Sequence, residues 1–145
     1  RTAADHQWQA AFAHQDIGAF NIWRETITGG HSNFITGAGG FIQNLVNGYA
    51  GLRILAHGNF RLNPSLPLGG VQSITLRQFQ LRGYSVTVQF SNASLSVTVS
   101  ETAERVTSTA EAVGWLVDAA AQNHTLVNGK PLSLVRQSVL VHLLA

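Results

Sequence analysis

Between Tyr84 and Ser91 apolar and polar residues alternate without a break: Tyr84, Val86, Val88 and Phe90 against Ser85, Thr87, Gln89 and Ser91. Leu95, Val97 and Val99 resume the period after the short link Ser91-Asn-Ala-Ser94. Successive side chains of a strand point to opposite faces, so this stretch reads as a hairpin with one apolar and one wet face. The segment before it keeps the same period with one slip. Ile74 and Leu76 fall on one face and Phe79 and Leu81 on the other, which predicts a bulge or sharp coil near Arg77.

Short strands are expected at residues 52–55 and 60–62, separated by His57-Gly-Asn59 and followed by the turn-rich run 63–70. Residues 101–121 fit helix or strand, because alanines mix with Val106, Thr107 and Thr109. An Asn-Gly turn in the run 125–130 predicts another hairpin, and the last strand candidate covers 132–143. The first fifty residues have a different period. Ala4, Trp8, Ala11 and Phe12 mark a helix over 2–17, with Thr2 and Asp5 as a variant capping box and Gly18 as its stop. Phe34, Ala38, Phe41, Ile42, Leu45, Val46 and Tyr49 mark a second helix over 34–48. Ser32, Asn33 and Thr36 are N-cap candidates, and Gly48 and Gly51 offer left-handed exits. The expected fold class is α+β, with helices in 1–50 attached to an antiparallel β-sandwich in 51–145.

Gly37, Gly39 and Gly40 in the first turn of the second helix each cost about 1 kcal/mol relative to Ala. Such a cluster implies that a packing neighbour or a ligand comes close to the backbone there. Just upstream lies Glu25, the one carboxylate between Asp16 and Glu101, flanked by Arg24 and by Phe20, Ile22 and Trp23. An acid set among apolar groups has a motive for a shifted proton affinity, which suits proton transfer. The plainer alternative is a solvated loop glutamate paired with Arg24.

Only 11% of the 145 residues are charged, against about 25% in typical domains. That deficit suggests that part of the exterior is covered by another surface. The net charge of +2 comes from one lysine and eight scattered arginines against seven acids, with no basic run to suit nucleic acid. No apolar run reaches the length of about 18 residues that a membrane span requires, and no signal-peptide pattern opens the chain. The lack of Met suggests a processed chain, and the lack of Cys removes disulfide and thiol chemistry. No metal site is expected, since no two of the six histidines stand at i, i+4 on one helix. Gly37-Ala-Gly-Gly-Phe-Ile42 matches only half of a dinucleotide fingerprint and follows no strand, so no cofactor is expected either. Of the histidines, His31 alone, beside the glycine-rich helix start, suits a ligand contact; His6 and His14 are expected on the surface of the first helix, and His124 and His142 in solvent or in the core.

The run Phe20-Asn-Ile-Trp-Arg-Glu-Thr26, with His31-Ser-Asn-Phe-Ile-Thr-Gly-Ala-Gly-Gly-Phe-Ile-Gln-Asn-Leu-Val-Asn-Gly-Tyr-Ala-Gly-Leu-Arg53, resembles the C-terminal part of the acid trehalases of glycoside hydrolase family 65. Gly69-Gly-Val-Gln-Ser-Ile-Thr-Leu-Arg-Gln-Phe-Gln-Leu-Arg-Gly-Tyr-Ser85 resembles the start of that family's C-terminal β-domain. The resemblance implies that 1–50 close an (α/α)6 barrel and that 51–145 form the C-terminal sandwich. It implies an inverting α,α-trehalase that releases glucose from trehalose. Glu25 would then be the general base, with the general acid upstream of this chain. Inversion needs two carboxyl groups roughly 6.5–9.5 Å apart.

Substrate contacts would come from Trp23, Arg24, His31 and Ser32, with Trp23 and Phe20 serving either as sugar-facing walls or as core. Phosphorolytic relatives use the same loop for phosphate, so His31 and Ser32 keep a phosphorylase reading open. A non-catalytic module that binds carbohydrate or buttresses a catalytic domain is a further alternative. The expected partners are the upstream part of the same enzyme and a small carbohydrate, with self-association left open, and the expected location is extracellular, cell-wall or vacuolar. Asn92-Ala-Ser94 and Asn123-His-Thr125 are acceptor sequons for glycosylation, whereas Pro64 excludes Asn63.

Overall fold

A computed structural model describes residues 2–11, 15, 22–102 and 112–143. Phe12, His14, Gly18 and Phe20 lie outside the described residues, as does most of the ambiguous run between Glu101 and Ala112.

Two antiparallel sheets carry the core. One contains β3 (Ser73–Leu81), β4 (Tyr84–Ser91), β5 (Ser94–Glu101) and β8 (Pro131–Val135), in that order across the sheet. The other has the order β1 (Arg53–Ile54), β2 (Phe60–Leu62), β9 (Val139–Leu143), β6 (Ala112–Val117), β7 (Asn123–Val127). The inward residues of the β4–β5 hairpin, from Tyr84 to Phe90 and from Leu95 to Val99, are buried as the alternation requires. They meet Phe60, Leu62, Leu116, Leu126, Val139 and Val141 of the second sheet in one core cluster. Phe60 and Phe79 bridge the sheets edge to face, with ring centroids 5.7 Å apart. The described residues therefore form a β-sandwich.

The slip in β3 is a bulge. Leu76 opposes Val88 and Phe79 opposes Val86, so the two residues Arg77 and Gln78 occupy the place of one. Gln78 takes a positive φ and its N–H donates to the Thr87 hydroxyl at 3.2 Å. The extra residue returns Phe79 and Leu81 to the side of Ile74 and Leu76, and all four pack against the core.

The Asn128-Gly129 turn departs from expectation. It links β7 to β8, which lie in different sheets, so it is a crossover and not a hairpin. Its docking explains why: Asn128 Oδ1 accepts from the Glu101 N–H at 3.1 Å, and Gly129 N–H donates to the Val99 carbonyl at 2.8 Å. Both bonds tie the turn to β5 and hand the chain across the core. The expected strand over 132–143 is accordingly two strands, β8 and β9, again in different sheets.

Helix α1 is described over Thr2–Ala11; of the remaining expected span, Gln15 pairs in a β-bridge with Trp23, and residues 12–14, 16 and 17 lie outside the described residues. Helix α2 runs Ile35–Gln43 and widens into a π-helical turn at Asn44–Tyr49. None of the cap candidates caps it; Phe34 occupies the cap position without a side-chain hydrogen bond, and Asn33 takes a positive φ just before it. Gly51, at φ +61°, makes the exit, and Gly48 stays within the π turn. A side chain at Gly51 would stand 2.6 Å from the Asn63 carbonyl oxygen, so the glycine lets the helix exit lie flat on the loop that follows β2. Asn63 N–H to Ala50 O and Ser65 N–H to Tyr49 O, at 3.2 and 2.7 Å, complete that junction.

Candidate active site

The segment from Trp23 to Phe34 folds back on itself. Phe34 N–H donates to the Trp23 carbonyl at 2.7 Å and Glu25 N–H to the His31 carbonyl at 3.1 Å, while Thr26 and Gly29 bond each other at the tip. These rungs place Glu25 opposite His31, and the His31 N–H returns a hydrogen bond to Glu25 Oε2 at 3.2 Å. Gly30 makes this approach possible. Its φ is +80°, and a Cβ there would lie 2.8 Å from Glu25 Cβ and 3.0 Å from Oε2. The carboxylate is thus fixed by backbone on the far side of the loop.

Glu25 is exposed at a cleft of about 240 Å³ whose walls include Trp23, Arg24, Phe34, Phe41 and Asn44. It is the one carboxylate among the described residues lining this cleft. Trp23 is half-buried with its ring 4.6 Å from that of Phe41, and Phe41 in turn stacks on Trp8 at 5.3 Å. Trp23 therefore works chiefly as packing that makes one wall. Gly37 is required by that packing, since a Cβ there would meet Phe34 at 2.9 Å and Trp23 at 3.3 Å. Gly39 and Gly40 meet nothing within 4 Å among the described residues, and Gly40 borders the open cleft.

The structure gathers Trp23, Arg24 and Glu25 on one cleft. His31 serves through its backbone N–H and carbonyl, while its side chain is exposed and does not line the cleft. Ser32 is exposed and also stands outside the lining. Asn44 was not foreseen, because a lone amide within an apolar helical stripe gives no sequence signal. Nor was Asp5. Expected as a cap partner of Thr2, it is only 1% exposed, and its Oδ1 accepts from the Tyr49 hydroxyl at 2.8 Å and from Leu68 N–H at 3.4 Å. Its Oδ2 is buried without a hydrogen bond among the described residues. A neighbouring cleft of about 400 Å³ is lined by Asp5, Trp8, Asn44, Tyr49 and Ser65.

Comparison with known proteins finds similarity to proteins named protein-glucosylgalactosylhydroxylysine glucosidase. The one from Dictyostelium discoideum is 37% identical over 93 residues, covering 64% of this chain and 13% of the relative. That from Danio rerio is 30% identical over 95 residues, covering 65% and 14%. That from Gallus gallus is 47% identical over 49 residues, covering 33% and 7%. All three relatives are glucosidases by name. The chain spans only a small part of their length. No family model matches the chain, and no solved structure matches it significantly.

Among the described residues no three His, Cys, Asp or Glu side chains are grouped to hold a metal. A carboxylate held by a backbone N–H at the edge of a cleft can accept a proton from water. It can also face a cation developing on a sugar ring.

Proposed function

We propose that this chain is part of a glycoside hydrolase that releases glucose from a glucoside, with Glu25 as the general base that takes a proton from the attacking water. The observation that carries this reading is Glu25 itself, the sole described carboxylate on its cleft, oriented by the His31 N–H and by the Gly30 backbone. Similarity to three proteins named as glucosidases supports the reaction class. The substrate those names favour is a glucosylgalactosyl unit on hydroxylysine; the resemblance of the 20–53 run to acid trehalases supports trehalose as the second candidate. A small sugar would enter beside Trp23 and Arg24. The general acid would come from polypeptide outside this chain, within the (α/α)6 barrel that the resemblance implies.

Exposed apolar residues of α2 and its preceding loop support such a partner surface. Ile35 and Ile42, seven residues apart on α2, are 76% and 57% exposed, and Ile27 at the loop tip is 58% exposed. Further helices of the same enzyme would cover them. Passage through the secretory pathway is part of the same proposal. Both sequon asparagines, Asn92 at the β4–β5 tip and Asn123 at the start of β7, are exposed, and peptide mapping of natively produced protein should find glycan on at least one.

The deciding experiment is Glu25→Gln in the whole enzyme, assayed on glucosylgalactosylhydroxylysine and on trehalose. Gln keeps an acceptor for the His31 N–H but takes up no proton, so kcat should fall by about 10²–10⁴-fold on the true substrate while KM moves far less. Turnover close to that of the parent enzyme would sink the assignment.

A further inference from the structure

A third cleft, of about 430 Å³, opens where the helix exit meets the outer face of the five-stranded sheet. It shares no lining residue with the Glu25 cleft. Three arginines line it, Arg53 on β1, Arg61 on β2 and Arg136 just after β8, and no acidic residue does. Arg53 and Arg61 stand directly opposite each other in the β1–β2 register, so their side chains leave the same face. Like charges in that arrangement destabilise a strand pair. Arginine does not lose its proton in proteins, so the pair has no acid–base escape from the repulsion. Both side chains are exposed, so water screens part of the repulsion and a bound counter-anion would relieve the rest; no carboxylate among the described residues lines the cleft.

Two of the three heads are held in place by neutral acceptors. Arg53 Nη1 donates to the Asn47 and Leu52 carbonyls at 2.6 and 2.8 Å. Arg136 Nη1 donates to Asn92 Oδ1 at 3.3 Å, and its backbone N–H to the Ala93 carbonyl at 3.0 Å. Each of these bonds uses one nitrogen of a fork that carries five N–H donors, so each head keeps donors for the cleft. Ser65 and Asn47, each with a polar side chain, line the same space.

We propose that this cleft, formed where the opposed pair Arg53 and Arg61 meets Arg136, binds a tetrahedral oxyanion of the phosphate or sulfate class, either free or carried on a sugar. Guanidinium forks match such oxygens in bidentate fashion, and three converging cations suit a doubly charged group better than a single carboxylate. The neutral donors beside them would hold either further oxygens of the anion or sugar hydroxyls.

Arginine-directed modification with phenylglyoxal, read residue by residue by mass spectrometry, tests this on the intact protein. Inorganic phosphate should slow modification of Arg53, Arg61 and Arg136 saturably and leave the exposed Arg77 of β3 unaffected. Sodium chloride at equal ionic strength should not reproduce the effect. No protection, equal protection by chloride, or equal protection of Arg77 would each overturn the proposal. In Arg61→Gln, with folding checked by circular dichroism, the protection of Arg53 and Arg136 should be lost; its persistence would also overturn the site. Glucose 6-phosphate and glucose 6-sulfate separate the two sources. Protection at lower concentration than inorganic phosphate assigns the site to a substituted sugar, and protection at equal or higher concentration assigns it to the free anion.

Discussion

At the scale of single residues, the proposed chemistry depends on a glycine as much as on an acid. Glu25 reaches the His31 N–H only because Gly30 leaves room for it at a φ that side chains avoid. In Gly30→Ala the new methyl would have to displace the Glu25 side chain, and the backbone strain alone costs about 1–3 kcal/mol. This variant should lower both Tm and kcat, whereas Glu25→Gln should lower kcat alone; calorimetry beside a glucose-release assay distinguishes the two. That Trp23, Arg24 and Glu25 line one cleft follows from their being neighbours in sequence. Asp5 was not legible. Its burial depends on Tyr49, 44 positions away, and nothing in a local pattern around Asp5 announces that contact.

At the scale of elements, short polar ties set how the pieces join. The Tyr49 hydroxyl, at the end of the π turn, donates to Asp5 at 2.8 Å, closer than the Leu68 N–H at 3.4 Å, and so fastens α1 to the helix exit. Tyr49→Phe keeps the ring against Trp8 but leaves a buried carboxylate short of a donor, at a cost of about 1–3 kcal/mol. Urea unfolding should show a lower midpoint with an unchanged slope. The loop between β6 and β7 has its own tie. Asp118 bonds the His124 ring at 3.0 Å and accepts from the Ala120 and Gln122 N–H groups, and the His124 bond foremost lowers its pKa below 3.8. A carboxyl whose pKa is depressed by folding stabilises the fold above its unfolded pKa, and that contribution fades as pH falls towards the folded value. Asp118→Asn should therefore lower Tm at pH 7, and the difference from the parent should shrink as pH falls below 3.8. The β4–β5 hairpin was readable because alternation and turn length agree there. The Asn128-Gly129 turn was misread because the same dipeptide serves hairpins and crossovers, and only its docking on β5 separates them.

At the scale of the molecule, the sandwich was legible from period-two alternation, but its strand order was not. Pairing between strands distant in sequence leaves no trace in a local period; Phe60 meets Val141, and Trp115 meets His142, whose rings stack at 4.9 Å. The position of β9 has a consequence for how the protein is made. It is the last strand in the described chain, yet it lies between β2 and β6 in the middle of its sheet. On the ribosome, β3, β4 and β5 can pair as soon as they emerge, being neighbours in both chain and sheet. The opposite sheet stays in two pieces, β1–β2 and β6–β7, until Val139–Leu143 has left the exit tunnel. Nascent chains stalled with residue 130 just outside the tunnel should be cut rapidly by protease within β2 and β6, and those stalled after residue 143 has cleared it should resist. Equal resistance at both lengths would mean that the two pieces hold together unaided. The half-built sandwich leaves Phe60, Leu62 and Leu116, buried once folded, without their cover throughout that interval, so the wait for β9 is when a chaperone that binds apolar strands would have its target.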